Sequence, residues 1–258
     1  VMIQTADNLC SRFDENIGCI RSWDFGTWKF PVIIDNMMNL DLLFNASRLS
    51  GNPYYREIAL KHADKTMPNH FREDHTSWHV VSYNNDGTVE SKQTFQGKND
   101  DSAWSRGQAW GLYGYTAVYR ETSDRKYLDF AQAIADMFIE RTTTEDSIPY
   151  WDFDAPAGED TPRDASAAAV AACGMLELST MTENGEKYFN QAEKILKSLS
   201  SDAYLAAPGE NQGFVLMHST GSLAHGSEID VPLNYADYYY LEGLQRYMRL
   251  KGIEYKNL

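Results

Sequence analysis

The sequence predicts an all-α protein in which helical hairpins are arranged as a toroid. A helix–turn–helix pattern recurs along the chain, the two helices of each pair differ in composition, and long segments separate the pairs. Because one hairpin of this kind cannot bury its apolar face alone, neighbouring hairpins are expected to stack around a common axis. The chain has 258 residues and is 43% hydrophobic, which suits one large domain over residues 1–258.

Each predicted pair begins with an acidic residue and contains a short turn of Gly, Asn or Asp between its helices. The pairs cover residues 35–67, 100–142 and 164–201, and a last helix covers residues 235–252. The first helix of each pair is rich in small and aromatic residues nearly all round, which is typical of a helix packed on several sides. The second helix carries Lys and Glu at the spacing of a solvated face. We therefore expect an inner ring of first helices and an outer ring of second helices.

The segments between the pairs are too long to be plain connections. They cover residues 68–99, 143–163 and 202–234 and contain many Gly, Asn and Trp residues. Loops of this length usually carry function. We expect them to gather at one end of the toroid, beside the N-termini of the inner helices. The chain also begins at Val1 in what reads as a helix, so further residues are expected upstream.

Composition and charge restrict the classes of function. The net charge of -14 argues against binding of nucleic acid or anionic membranes, and the 13% aromatic content favours a cleft for sugars. Cys10, Cys19 and Cys173 lack metal-ligand spacing and cannot all pair, so neither a disulfide framework nor a zinc site is expected. The sequence contains no apolar run long enough to cross a bilayer. It implies no cofactor, and we expect a monomer or a homodimer. Without a signal-peptide pattern we expect a cytoplasmic protein, or a periplasmic one if a signal precedes Val1.

The stretch IIDNMMNL, residues 33–40, places polar groups inside an apolar run. One explanation for Asp35 is a helix N-cap, since a short acceptor ahead of an apolar run satisfies free helix amides. That role does not explain Asn39, four residues later on the same face. Asn36 and Asn39 are therefore candidates for amides that support a functional Asp35, or for residues that hold helix ends together.

Three stretches resemble the unsaturated glucuronyl hydrolases, glycoside hydrolase family 88. They are IDNMMNLDLLFNASRLSG, DDSAWSRGQAWGLYGYTAVYRET and LMHSTGSLAHGSEIDVPLNYADYYYLEGLQRY, and they follow the family's order over most of the chain. The resemblance implies an (α/α)6 barrel and no metal or organic cofactor. Family members extend further at the N-terminus, where a second Asp and an aromatic platform lie, so this chain resembles an N-terminally truncated member.

The resemblance implies that Asp35 is the catalytic acid and base. Such enzymes act on oligosaccharides left by polysaccharide lyases, whose terminal uronate carries a C4=C5 double bond and is an enol ether. Protonation of C4 and addition of water at C5 give a hemiketal that opens and releases the neighbouring sugar. One carboxyl group can donate the proton and then activate the water, whereas ordinary glycosidases use two carboxylates. The apolar neighbours of Asp35 would favour its protonated form, and a helix N-terminus would oppose it.

The resemblance also implies a set of substrate-binding residues: Trp23, His79, Gln96, Arg106, Trp110, His218, Ser219 and Ser222. Trp28 is an alternative to Trp23 as the stacking residue. Arg106 and Trp110 share a helical face and suit a sugar subsite, with Gln108 pointing away. The segment around His218 borders the site in the family and can receive the second sugar or its sulfate group.

Structural explanations remain open for several of these residues. Arg106 would otherwise pair with Asp100 or Asp101, His79 would be a buried or loop histidine, and the serines would belong to a plain turn. Gly107, Gly111 and Gly114 most simply permit close helix packing.

Three other functions remain in competition with the glycosaminoglycan-type hydrolase. A related enzyme would act on pectin-derived unsaturated rhamnogalacturonan fragments. An inverting glycosidase would use Asp35 with Asp100 or Asp101, and a helical-hairpin protein would bind acidic sugars without turnover.

Overall fold

A computed structural model describes residues 1–254, in which helices form the framework and short strands join them. The helices are α1 (Met2–Cys10), α2 (Asn36–Ser50), α3 (Tyr54–His70), α4 (Ser105–Thr122), α5 (Arg125–Arg141), α6 (Ala165–Leu178), α7 (Gly185–Leu199) and α8 (Asn234–Lys251). Short 3-10 helices cover Asn211–Gly213 and Leu223–His225. The strands are β1 (Phe13–Asp14), β2 (Cys19–Ile20), β3 (Pro31–Ile33), β4 (Val80–Tyr83) and β5 (Val89–Gln93).

Helices α2, α4, α6 and α8 form an inner layer, and α3, α5 and α7 pack outside them. Along the inner layer α2 contacts α4, α4 contacts α6, and α6 contacts α8. Each outer helix packs on the inner helix that precedes it in the chain. The predicted division into inner and outer helices is confirmed, and burial explains the difference in their composition. Helix α4 is buried at every position from Ser105 to Val118, whereas α7 buries only one face.

The predicted helix boundaries hold to within a few residues, with one exception. The pair predicted from residue 100 begins at Ser105, so the expectation of an acidic helix start there is wrong. Asp100 instead accepts a hydrogen bond from the Thr94 backbone amide, 2.8 Å away, which keeps this part of the chain in a turn. At the α2–α3 turn, Gly51 adopts a left-handed conformation with φ +70°, which glycine accommodates without a Cβ clash.

The strands were not predicted, and two of them lie in the segment between α3 and α4. Strands β3, β4 and β5 form an antiparallel sheet in that order, and β1 pairs separately with β2. Ile33 pairs with Val80, and the Ile34 amide donates to the His79 carbonyl at 3.0 Å. Strands of two to five residues carry too little periodic pattern to be separated from a loop by sequence alone. This pairing fixes the chain on both sides of the candidate site.

A row of alternating charges connects the four inner helices. Arg120 of α4 pairs with Asp41 of α2 and with Glu177 of α6, the latter at 2.9 Å. Arg246 of α8 contacts the same Glu177 at 2.5 Å. The row links the four inner helices to one another. Within residues 1–254, no helix combines the length and the apolar character that crossing a bilayer requires.

Candidate active site

A cleft of about 680 Å³ lies between the inner helices α2, α4 and α8. Its wall combines one free carboxylate with amides, aromatic rings and a guanidinium group. The lining residues are Met2, Asp35, Met38, Asn39, Asp41, Leu42, Asn45, Gln96, Arg106, Trp110, Tyr113, Tyr235, Tyr238 and Tyr239. Flat amphipathic rings beside polar groups are the surfaces that sugars bind.

Asp35 occupies the junction between β3 and α2. It is the residue before α2, but its side chain accepts no hydrogen bond from a helix amide. Its side chain is 20% exposed, and its Oδ2 atom is buried without a hydrogen-bond partner among residues 1–254. The capping explanation therefore does not account for Asp35. A buried acceptor without a partner is costly, and such positions are enriched at functional sites.

His79 faces Asp35 because the sheet places the end of β3 beside the residue before β4. Its Nε2 atom lies 3.5 Å from Oδ2 of Asp35, somewhat longer than a hydrogen bond. Its Nδ1 atom accepts from the backbone amides of Phe95 at 3.2 Å and Gln96 at 3.0 Å. A ring nitrogen that accepts two hydrogen bonds carries no proton, so the proton of the neutral ring must be on Nε2. His79 thus presents an N–H to the Asp35 carboxylate.

Arg106 is 2% exposed, and protein groups occupy its guanidinium. One terminal nitrogen donates to Oδ2 of Asp164 at 2.7 Å and to the Thr220 carbonyl at 2.6 Å. The other donates to the Gly221 carbonyl at 2.7 Å. The alternative of a structural ion pair for Arg106 was correct, but its partner is Asp164 and not Asp100 or Asp101. Asp164 caps α6, accepting from the Ser166 amide at 3.0 Å, whereas Asp100 and Asp101 lie on an exposed turn away from the cleft.

Gln96, Trp110 and Asn39 line the same cleft as Asp35. Gln96 donates through its side-chain amide to the Gly221 carbonyl at 2.8 Å, so it joins the segment after β5 to the loop that follows Ser219. Trp110 packs edge-on against Tyr239 with ring centroids 5.1 Å apart. Asn36 is buried and donates to the Ile20 carbonyl at 2.7 Å, which makes it a structural residue.

The remaining predicted residues lie outside the residues that line this cleft. Trp23 packs against Phe25, Trp28 and Phe95 in an aromatic cluster, with the Phe25 ring 5.3 Å away and stacked. Trp28 belongs to the same cluster, so the choice between Trp23 and Trp28 stays open. Phe95 precedes Gln96 in the chain and connects this cluster to the cleft.

The three predicted residues of the loop over residues 218–230 lie in different environments. His218 has a left-handed backbone and its Nδ1 atom lies 2.6 Å from Oδ1 of Asp230, beside a separate surface pocket. Ser219 is fully buried in a backbone pairing with Val231. Ser222 contacts Nδ1 of His225 at 2.7 Å.

Sequence reasoning missed the aromatic and acidic partners of the site. Tyr235, Tyr238 and Tyr239 of α8 line the cleft, and Asp164 neutralises Arg106. The run DYYYLEGL carried the tyrosines, but its order alone does not show which rings face inward. Burial raises the pKa of Tyr235 well above its ordinary value, so its phenol remains protonated and can donate a hydrogen bond.

This arrangement can hold a sugar and move one proton. Among residues 1–254, Asp35 pairs with no Lys or Arg side chain, whereas Asp41, also in the cleft wall, is paired with Arg120. Among residues 1–254, no group of three or more His, Cys, Asp or Glu side chains is placed to hold a metal ion. Layered inner and outer helices with a polar, aromatic cleft at the N-terminal ends of the inner helices define an α/α-barrel protein whose cleft suits a sugar ligand.

Comparison with known proteins identifies the family. No family model matches the chain. The chain is 46% identical over 254 residues to an unsaturated glucuronyl hydrolase of Formosa agariphila, covering 97% of this chain and 63% of that protein. It is 33% identical to an unsaturated chondroitin disaccharide hydrolase of Streptococcus pneumoniae, covering 96% of this chain and 64% of that protein.

Solved structures agree with these relatives. An unsaturated glucuronyl hydrolase specific for heparin is 54% identical and superposes with a TM-score of 0.96, over 99% of this chain and 70% of that one. The unsaturated glucuronyl hydrolase of a Bacillus species superposes with a TM-score of 0.90 at 31% identity, over 98% of this chain and 68% of that one. The chain therefore belongs to the unsaturated glucuronyl hydrolase family and has its (α/α)6-barrel fold. It spans 63% and 64% of the length of the two curated relatives.

Proposed function

We propose that the protein is a glycoside hydrolase that removes a terminal 4,5-unsaturated uronic acid from glycosaminoglycan-type oligosaccharides. The observation that carries the proposal is the position of Asp35 in the aromatic cleft: its Oδ2 atom has no hydrogen-bond partner among residues 1–254 and faces Nε2 of His79 at 3.5 Å. The names of the similar proteins support the substrate class, since they include enzymes for chondroitin disaccharides and for heparin.

Asp35 acts first as an acid and then as a base. Its carboxyl proton is transferred to C4 of the enol ether, and positive charge develops at C5 and the ring oxygen. The resulting carboxylate then takes a proton from water as the water oxygen bonds to C5. The hemiketal opens, the bond to the neighbouring sugar breaks, and that sugar leaves with a hydroxyl group. The Nε2–H of His79 orients the carboxylate through both steps.

The cleft wall suits the two parts of such a substrate. Trp110 and the tyrosines of α8 offer ring faces and phenol donors to a sugar ring. Gln96 reaches the cleft beside Asp35 and is held by the Gly221 carbonyl, so its position is fixed before substrate binds. We include Trp23, His218 and Ser222 as contacts to more distant parts of the substrate, because their loops border these residues. Ser219 is fully buried, so we assign it a role in holding the loop rather than a direct contact.

The test follows the ultraviolet absorbance of the conjugated C=C–carboxylate while the protein is mixed with unsaturated chondroitin or heparin disaccharides. We expect decay with the parent protein and none with Asp35→Asn. Asp136→Asn is the matched control because Asp136 lies on the outer helix α5, paired with Lys187 at 2.7 Å. It should retain parental activity.

Other outcomes separate the competing functions. Decay only with unsaturated rhamnogalacturonan fragments would move the protein to the pectin-directed class. Activity on saturated substrates would indicate a conventional inverting glycosidase. Binding of acidic disaccharides without decay would indicate a sugar-binding protein, and unchanged activity in Asp35→Asn would remove Asp35 from the mechanism.

A further inference from the structure

Asp164 and Arg106 form a buried ion pair beside the cleft, and hydrogen bonds lead from it to His79, which faces Asp35. Arg106 donates to the Gly221 carbonyl, and Gln96 donates to the same oxygen. The backbone amide of Gln96 donates to His79, which faces Asp35. The carbonyl oxygen of Gly221 therefore accepts hydrogen bonds from both Arg106 and Gln96, and both of these residues line the cleft.

The charges of this pair balance each other where water is excluded. Asp164 is fully buried and Arg106 is 2% exposed. Burial alone would lower the pKa of Arg106, but the negative charge of Asp164 holds that pKa above its ordinary value. Asp35 lines the same cleft as Arg106, and charges at such a partly buried site interact more strongly than in water.

We propose that Asp164 is a positioning residue that cancels the charge of Arg106, so that Asp35 can hold the proton required for catalysis. With Asp164 neutral, Arg106 becomes an uncompensated buried cation near Asp35 and favours the carboxylate. With Arg106 replaced by a neutral residue, a negative charge on Asp164, which accepts from the Ser166 and Ala167 amides at the start of α6, would disfavour the Asp35 carboxylate. The two substitutions must shift the Asp35 titration in opposite directions.

Other groups around Asp35 leave this balance in place. Burial lowers the pKa of His70 to about 4, so that ring is neutral near pH 7, and two backbone amides donate to Nδ1 of His79. Asp41 is neutralised by Arg120. The titratable or charged groups facing Asp35 or its partners are His79 before β4, His70 of α3, Arg106 of α4, Tyr235 of α8, Asp41 of α2, Asp164 of α6 and Glu228 of the 218–230 loop.

The experiment is an NMR titration of the Asp35 carboxyl carbon in protein labelled at aspartate carboxyls, with the resonance assigned by its loss in Asp35→Asn. We expect the titration midpoint to fall by about one pH unit in Asp164→Asn and to rise by about as much in Arg106→Gln. The double variant Arg106→Gln, Asp164→Asn should titrate near the parental midpoint, because both charges are gone.

Asp152→Asn is the matched control. Asp152 is also fully buried, but its carboxylate accepts from Ser102 at 2.7 Å and from the Lys98 and Asp154 amides, both at 2.9 Å. Its loss damages packing and hydrogen bonding without exposing a buried cation. Circular dichroism and thermal melts establish that each variant is folded before titration.

The result that overturns the proposal is an Asp35 midpoint that moves no further in Asp164→Asn than in Asp152→Asn, or that moves in the same direction in both single variants. If Asp164→Asn fails to fold, Arg106→Gln carries the test through its opposite sign. If neither single variant folds, a double variant with a displaced midpoint still overturns it.

The catalytic role of this balance rests on the proposed function, but the titration needs no activity. In an active parent, the alkaline limb of the pH profile should move to lower pH in Asp164→Asn. An inactive parent with the expected NMR shifts would contradict the proposed function alone.

Discussion

His79 has two separable tasks, and two substitutions should divide them. Its Nδ1 atom accepts from the Phe95 and Gln96 amides, and its Nε2 atom faces Asp35. His79→Asn places an oxygen near the position of Nδ1 but has nothing at Nε2. His79→Gln extends an amide to the position of Nε2 and leaves the two backbone amides without their acceptor.

The structure gives the size of each effect. Leaving two part-buried amides unpaired should cost about 1–2 kcal/mol each, so His79→Gln should lose about 2–4 kcal/mol of unfolding free energy. For a chain of this size the melting temperature would then fall by the order of 10 °C. His79→Asn should melt close to the parent. It should lose on the order of 10²-fold in kcat, because Asp35 is no longer oriented.

Thermal melts followed by circular dichroism and the absorbance assay measure both quantities on the same preparations. Stability and activity should separate between the two variants. Equal losses of melting temperature in both would show that Nδ1 does not anchor the 95–96 segment. Parental kcat in His79→Asn would show that the Nε2–H does not act on Asp35.

Two further predictions concern stability. Burial lowers the pKa values of His62 and His70 to about 3 and 4, below the ordinary value near 6.5, so the unfolded chain binds protons that the folded chain does not. The unfolding free energy should therefore fall as the pH drops below 6.5, by about 1.4 kcal/mol per pH unit for each histidine. Urea titrations at pH 7 and pH 5 should show half of this pH dependence in His62→Asn, which retains only His70. A Cβ at Gly114 would lie 2.5 Å from Cβ of Met37, so Gly114→Ala should cost about 1–3 kcal/mol by forcing α2 from α4, while Gly158→Ala, with open space around its Cβ, should be nearly neutral in the same urea titrations.

The helical framework could be predicted because its signal is local. A buried helix such as α6 contains small and apolar residues all round, while α7 shows Lys and Glu on one face, and both patterns repeat over many turns. The glycines suggested close packing correctly at Gly107 and Gly114, where an added Cβ would meet Trp104 and Met37. Such signals determine which helix lies inside, but they do not determine which side chains meet.

Contacts between distant segments could not be read from the sequence. Asp35 and His79 are 44 positions apart and meet because β3 pairs with β4, yet β3 has three residues and no distinctive pattern. The guanidinium of Arg106 could have paired with the nearby Asp100 or Asp101, which seemed natural partners because they are close in sequence. The fold instead selects Asp164, 58 positions away, whose carboxylate is already fixed at the start of α6.

That choice of partner has a physical reason. An aspartate on an exposed turn would interact with Arg106 through water and would lose side-chain entropy to do so, which makes such pairs weak. A buried aspartate held by helix amides is already ordered and desolvated, so a matching cation stabilises it and is stabilised in return. Arg106 can therefore stay beside the cleft without presenting a net charge to Asp35. The sequence motifs contain Arg106 and Asp35, but the charge balance around them depends on Asp164, which only the fold brings close.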